Sequence, residues 1–146
     1  AAAPLTSTSV RPTGFFGSFD ALAAAARWGF AVRVGDGEAR TNPIHEADLA
    51  DVLADAVPGG PPVVDCGGPE VLTRNQITDL LFAAAGTTPR AIPVPLGLLS
   101  FQSAVIRPFN PRIADLIVFF GHVLTHDVPA PPFGTRTLAE HLAGRV

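Results

Sequence analysis

The polar residues best placed to do chemistry lie in Asn42–Val57, NPIHEADLADVLADAV, where a polar cluster runs into the clearest helix of the chain. Asn42, His45 and Asp48 fall at a strand-to-helix junction, the place where an open α/β sheet presents side chains to a ligand crevice. A plainer reading stands beside it, in which Asp48, Asp51 and Asp55 form a solvated acidic face. Asp51 and Asp55 are four apart and repel each other by roughly 0.2–0.5 kcal/mol, with no Arg within a turn to relieve them.

Other candidates are fewer. His122 and His126 are four apart, as helical metal ligands can be, but no acid of an H-E-x-x-H motif stands between them, so no metal site is expected. Cys66, the single cysteine, falls in an apolar strand and reads as an inert buried thiol. A lone cysteine excludes an internal disulfide and suits a reducing, cytoplasmic compartment. Gly35-Asp36-Gly37 is a turn signal rather than a phosphate loop, because no strong helix follows it. Arg112 could clamp a substrate carboxylate or phosphate, or simply occupy a helix start beside Pro111.

The elements that must position these residues are short. Thr6–Arg11, Phe30–Val34, Ala39–Ile44, Val63–Cys66 and Ala91–Val94 read as extended. Ser18 or Asp20 can cap an Ala-rich helix over Phe19–Trp28, stopped by Gly29. Pro43 keeps Asn42 extended, so the next helix starts near His45 or Glu46, with Leu49, Val52, Leu53 and Ala56 on a face toward a core. Pro58-Gly59-Gly60-Pro61-Pro62 is a hard break. Thr73 and Gln76 form a capping box for a helix to Gly86, and Thr137 and Glu140 form another for a helix to Gly144. Pro95 is expected at the first position of a helix to about Arg107. Asn110 caps a helix over Arg112–Leu124 that is apolar nearly all round and therefore expected to be buried on several sides.

Composition narrows the function classes. The 146 residues carry a net charge of −3, and all ten basic residues are singly placed Arg, so no nucleic-acid footprint is present. Only 16% of residues are charged, against about 25% in an average soluble chain, which points to more burial than a free domain needs. The most apolar window, Ile113–Leu124, contains Asp115 and His122 and is too short and too polar to span a bilayer. Ala1–Pro4 has no features of a signal peptide. Lys, Tyr and Met are absent from the sequence. Without an initiator, Ala1 is not expected to be the natural start unless the Met was removed. The strands are too short and dispersed for a well-covered sheet of their own, so neighbouring strands are expected from another segment.

Three runs then carry a resemblance: Arg11-Pro12-Thr13-Gly14-Phe15-Phe16, Asn42-Pro43-Ile44-His45 leading into Asp48-Leu49-Ala50, and Gly67-Gly68-Pro69-Glu70-Val71-Leu72-Thr73 at a helix mouth. With Phe109-Asn110-Pro111-Arg112 and Phe133-Gly134-Thr135-Arg136, their order resembles the C-terminal half of an atypical or extended short-chain dehydrogenase/reductase of the NmrA-like and epimerase-like branch. The resemblance implies an α/β fold: the substrate-side part of a doubly wound Rossmann-like sheet, lacking the N-terminal dinucleotide-binding half. It implies NAD or NADP in the intact parent, none bound by this chain alone, and a partner that is either the missing half or another protein copy.

The same resemblance implies that Pro12, Thr13 and Gly14 lie at the nicotinamide end of the cofactor. Phe15, Phe16, His45 and Arg112 would line the pocket for a small-molecule substrate. The plainer alternatives are core packing for Phe15 and Phe16, a helix-start hydrogen bond for His45 and a surface ion pair for Arg11. No catalytic residue is expected here, because the family's Tyr-x-x-x-Lys pair and Gly-rich loop are both absent. Two functions follow: an oxidoreductase acting on a small carbonyl or alcohol, or a non-catalytic dinucleotide sensor or assembly subunit.

Overall fold

The computed structural model describes residues 7–56, 61–88 and 90–144. The Ala1–Pro4 stretch, the expected strand start at Thr6, the helix end at Val57 and the Pro58-Gly59-Gly60 break lie outside them. Parallel pairing of distant segments sets the frame. Strand β1 (Ser9–Pro12) lies beside β4 (Val63–Cys66), with Pro12 opposite Cys66, and β2 (Ala31–Val34) lies beside β6 (Ala91–Val94). An antiparallel pair joins β3 (Arg40–Thr41) to β5 (Leu72–Thr73). The last strand has no counterpart in the sequence reading, because two residues are too few to show alternation. The chain is thus mixed α/β with small parallel sheets, compatible with part of a Rossmann-like fold.

The main core is helical. Phe16, Ala26, Ile77, Leu81, Phe82, Leu138 and Leu142 are buried together where α1 (Gly17–Ala26), α3 (Arg74–Ala85) and α6 (Leu138–Ala143) meet. Each large side chain buried there contributes roughly 1.5–3 kcal/mol by leaving water. Both expected capping boxes are present: Gln76 N donates to Thr73 Oγ1 (3.1 Å) and Glu140 N to Thr137 Oγ1 (3.3 Å). The start of α1 differs from expectation. Ser18 and Asp20 lie within the helix, and the amide of Gly17 instead donates to Glu46 Oε1 (2.8 Å), a carboxylate supplied by the first turn of α2 (Glu46–Ala56). Pro95 likewise sits one position before α4 (Leu96–Ile106), as its extended cap.

Two burial expectations are corrected. The α2 stripe is only partly covered, with Leu53 exposed, whereas Asp48 on the same helix is buried. In α5 (Pro111–Thr125), the expected burial on several sides is not found: only Ala114 and Gly121 are buried, and Leu116, Phe119 and Phe120 are more than half exposed. The reason is that α5 packs through its small residues against α4. Gly121 sits beside Leu96 and Leu99, and Ser103 Oγ donates to Ala114 O (3.1 Å). Several of its large side chains therefore stay exposed to solvent. No helix among the described residues is long and apolar enough to cross a membrane.

Candidate functional site

The carboxyl ends of β1 and β4 bring together three segments that are far apart in sequence. Thr13 N donates to Cys66 O (3.1 Å), continuing the sheet, and its hydroxyl donates to Asn42 O (2.6 Å). Ile44 N donates to Gly14 O (2.9 Å) and Phe16 N to Ile44 O (3.2 Å), so Gly14–Phe16 runs parallel to Ile44. Gly68 N donates to Asn42 O (2.7 Å). The junction therefore contains Pro12–Phe16, Asn42–His45 and Gly67–Gly68.

Asn42 is the pin. It is completely buried, its Nδ2 donates to Gly68 O (3.0 Å) and Ala130 O (2.8 Å), and its Oδ1 accepts from Ala130 N (2.9 Å). A side chain at Gly67 would overlap the Asn42 amide, and one at Gly68 would overlap the Pro43 carbonyl. Close backbone approach is thus what both glycines supply. The extended segment 127–133 closes the back: Arg40 N donates to Asp127 Oδ1 (2.7 Å), Val128 N to Arg40 O (2.9 Å) and Phe133 N to Gly67 O (2.8 Å).

His45 stands at the rim of this junction, half-buried. Its Nδ1 accepts from Ala47 N (3.0 Å), which puts the proton of the neutral ring on Nε2. Its ring meets Phe16 edge-on at 5.6 Å and His141 at 5.4 Å. His141 Nε2 in turn lies 3.0 Å from Asp20 Oδ1. Phe16 is fully buried in this ring cluster and the core, whereas Phe15 is 40% exposed. His45 and Phe16 are brought together with the Pro12–Gly14 turn; Arg112 is not. It stands exposed in the wall of a separate apolar groove of about 320 Å³ with Val34, Leu99 and Ile113.

Asp48 also departs from the solvated acidic face. Its carboxylate accepts from Thr135 N (3.3 Å) and Arg136 N (3.2 Å) and pairs with the Arg136 guanidinium, with Gly134 packed against it. A sequence signal existed in the Phe133-Gly134-Thr135-Arg136 run, but nothing in it names a partner 88 residues away. Asp51 and Asp55 do remain exposed. Arg11 makes the expected surface ion pair, bidentate to Asp65 at 2.7 and 3.0 Å, and holds that carboxyl below its ordinary range. Cys66 is fully buried, and burial pushes its thiol up, so it is no nucleophile at neutral pH.

No family model matches the chain, and no curated protein is similar to it. Among solved structures, the GDP-mannoheptose C4 reductase of Campylobacter jejuni with NADP bound is similar over 60% of this chain, with a TM-score of 0.41 and 14% identity. The chain spans about a third of that structure, covering 36% of it.

Proposed function

We propose that this chain forms the substrate-side portion of a short-chain dehydrogenase/reductase-like NAD(P)-binding oxidoreductase acting on a small carbonyl or alcohol. The observation that supports this reading is the meeting of Pro12–Phe16, Asn42–His45 and Gly67–Gly68 at the carboxyl ends of two parallel strands, where open α/β sheets hold their ligands. Among the described residues β1 pairs only with β4, which leaves its other edge free for a further parallel strand.

The cofactor residues fit a limited part. Thr13 has committed both its amide and its hydroxyl to protein carbonyls, so Pro12–Gly14 can wall a dinucleotide but Thr13 offers it no hydrogen. Phosphate and ribose recognition would then belong to another segment, which suits the absence of a Gly-rich loop here. When bound, the dinucleotide would supply hydride transfer; on this side His45 and Phe15 would shape the space beside its reactive end.

A second reading is a dinucleotide-binding sensor or assembly subunit; a Tyr-x-x-x-Lys pair in the segment that carries the dinucleotide loop would favour catalysis, and a Gly-rich loop without that pair would favour the sensor. Titration of NADH and NADPH into the intact gene product that contains this chain, followed by a turnover assay with small aldehydes and ketones, separates the two. Saturable binding with turnover is expected for the enzyme, and binding without turnover for the sensor. Failure to bind either dinucleotide would sink both.

A further inference from the structure

A cavity of about 400 Å³ between α1, β2 and α3 lies apart from the junction and within the size range of small-molecule sites. Phe19, Leu22, Phe30, Ile77 and Leu81 make most of its wall apolar. Two cations interrupt that wall, Arg33 from β2 and Arg74 from the first turn of α3. Neither has a carboxylate partner among the described residues. The Nε of each is buried without a hydrogen-bond partner. Arg74 donates one Nη2 bond to Val123 O (2.8 Å), while the Arg33 guanidinium makes no hydrogen bond among the described residues.

Burying part of a guanidinium without a counter-charge is unfavourable, and burial pulls the Arg74 pKa below its ordinary value for that reason. A natural sequence retains such an arrangement readily where something negative completes it. The complement of an apolar wall carrying two uncompensated guanidinium groups is a molecule with an apolar body and one anionic end. We propose that this cavity binds a free medium-chain fatty carboxylate, its alkyl chain along Phe19, Leu22 and Leu81 and its carboxylate between Arg33 and Arg74. Planar guanidinium groups suit a carboxylate because they offer parallel N–H donors. Such a site stands apart from any dinucleotide contact at Pro12–Gly14, so either can exist without the other.

Calorimetric titration of decanoate into the intact gene product that contains this chain, below its micelle concentration and with decanol as the neutral isostere, tests this directly. Saturable one-to-one binding of decanoate is expected, at least about tenfold tighter than decanol, from charge-assisted hydrogen bonding. Arg33→Gln should weaken decanoate about tenfold and leave decanol and the far-ultraviolet circular dichroism unchanged. Equal affinity for acid and alcohol, decanoate binding indifferent to Arg33→Gln, or no saturable binding would each overturn the proposal. Should Arg33→Gln fail to fold, Leu22→Trp at a half-exposed wall position on α1 is expected to fill part of the cavity and displace the alkyl chain. Decanoate binding that survives this substitution would equally overturn it.

Discussion

Asn42 and Thr41 are adjacent, both buried, and opposite in their hydrogen bonding. Asn42 satisfies one acceptor and two donor positions against Gly68 and Ala130, whereas the Thr41 hydroxyl is buried with no partner among the described residues. Removing a bonded side chain leaves its buried partners unsatisfied, at about 1–3 kcal/mol for each group. Replacing an unsatisfied hydroxyl by a methyl of the same shape removes a cost instead. Asn42→Ala is therefore expected to destabilise the chain by about 3 kcal/mol or more, and Thr41→Val to be neutral or stabilising by about 1 kcal/mol, in urea denaturation. Equal losses from both would mean that the junction is not held by the Asn42 amide. The sequence marked Asn42 as a polar residue near a crevice, and the structure gives it a structural task. Its partners at Gly68 and Ala130 come from distant segments, and local pattern carries no information about them.

At the scale of elements, α6 shows how a capping box couples to pH. Glu140 accepts from Thr137 N (3.1 Å), and the backbone and side-chain hydrogen bonds to Thr137 hold its carboxyl below the ordinary carboxylate value. A carboxyl depressed in the folded state contributes stability that is present above its unfolded pKa and lost as pH falls through the folded one. Thr137→Ala should cost about 1 kcal/mol and raise the Glu140 pKa only part of the way toward its ordinary value, because the backbone amide at 137, the larger cause, remains; carboxylate chemical shift during an acid titration reads this. An unmoved titration would show that the Thr137 hydroxyl takes no part in depressing it. This box, the Thr73 box and the Asn110 cap were all legible, because a cap is local chemistry between residues three apart. The cap on α1 was not, since Glu46 reaches Gly17 across 29 positions. Periodicity identified α5 as apolar but overstated its burial, because hydrophobicity alone does not reveal how many neighbours a helix has.

The whole molecule combines one helical core with many exposed apolar side chains. Among the described residues the sheets are three separate pairs, and Phe109 is 87% exposed, Trp28 79% and Val32 63%. Single exposed apolar residues are ordinary, but here they recur along α4, α5 and the β2–β6 pair. Under the proposed function the parallel strands continue into another segment, and the site is completed there. Hydrogen–deuterium exchange on the intact gene product, with and without saturating NADPH or NADH, tests this most directly. The expected result is ligand-dependent protection of Thr13–Phe16 and Ile44–Asp48, with α4 and α5 unchanged. Dinucleotide binding that leaves both segments unprotected, or no binding at all, would contradict the placement of the site at the ends of β1 and β4.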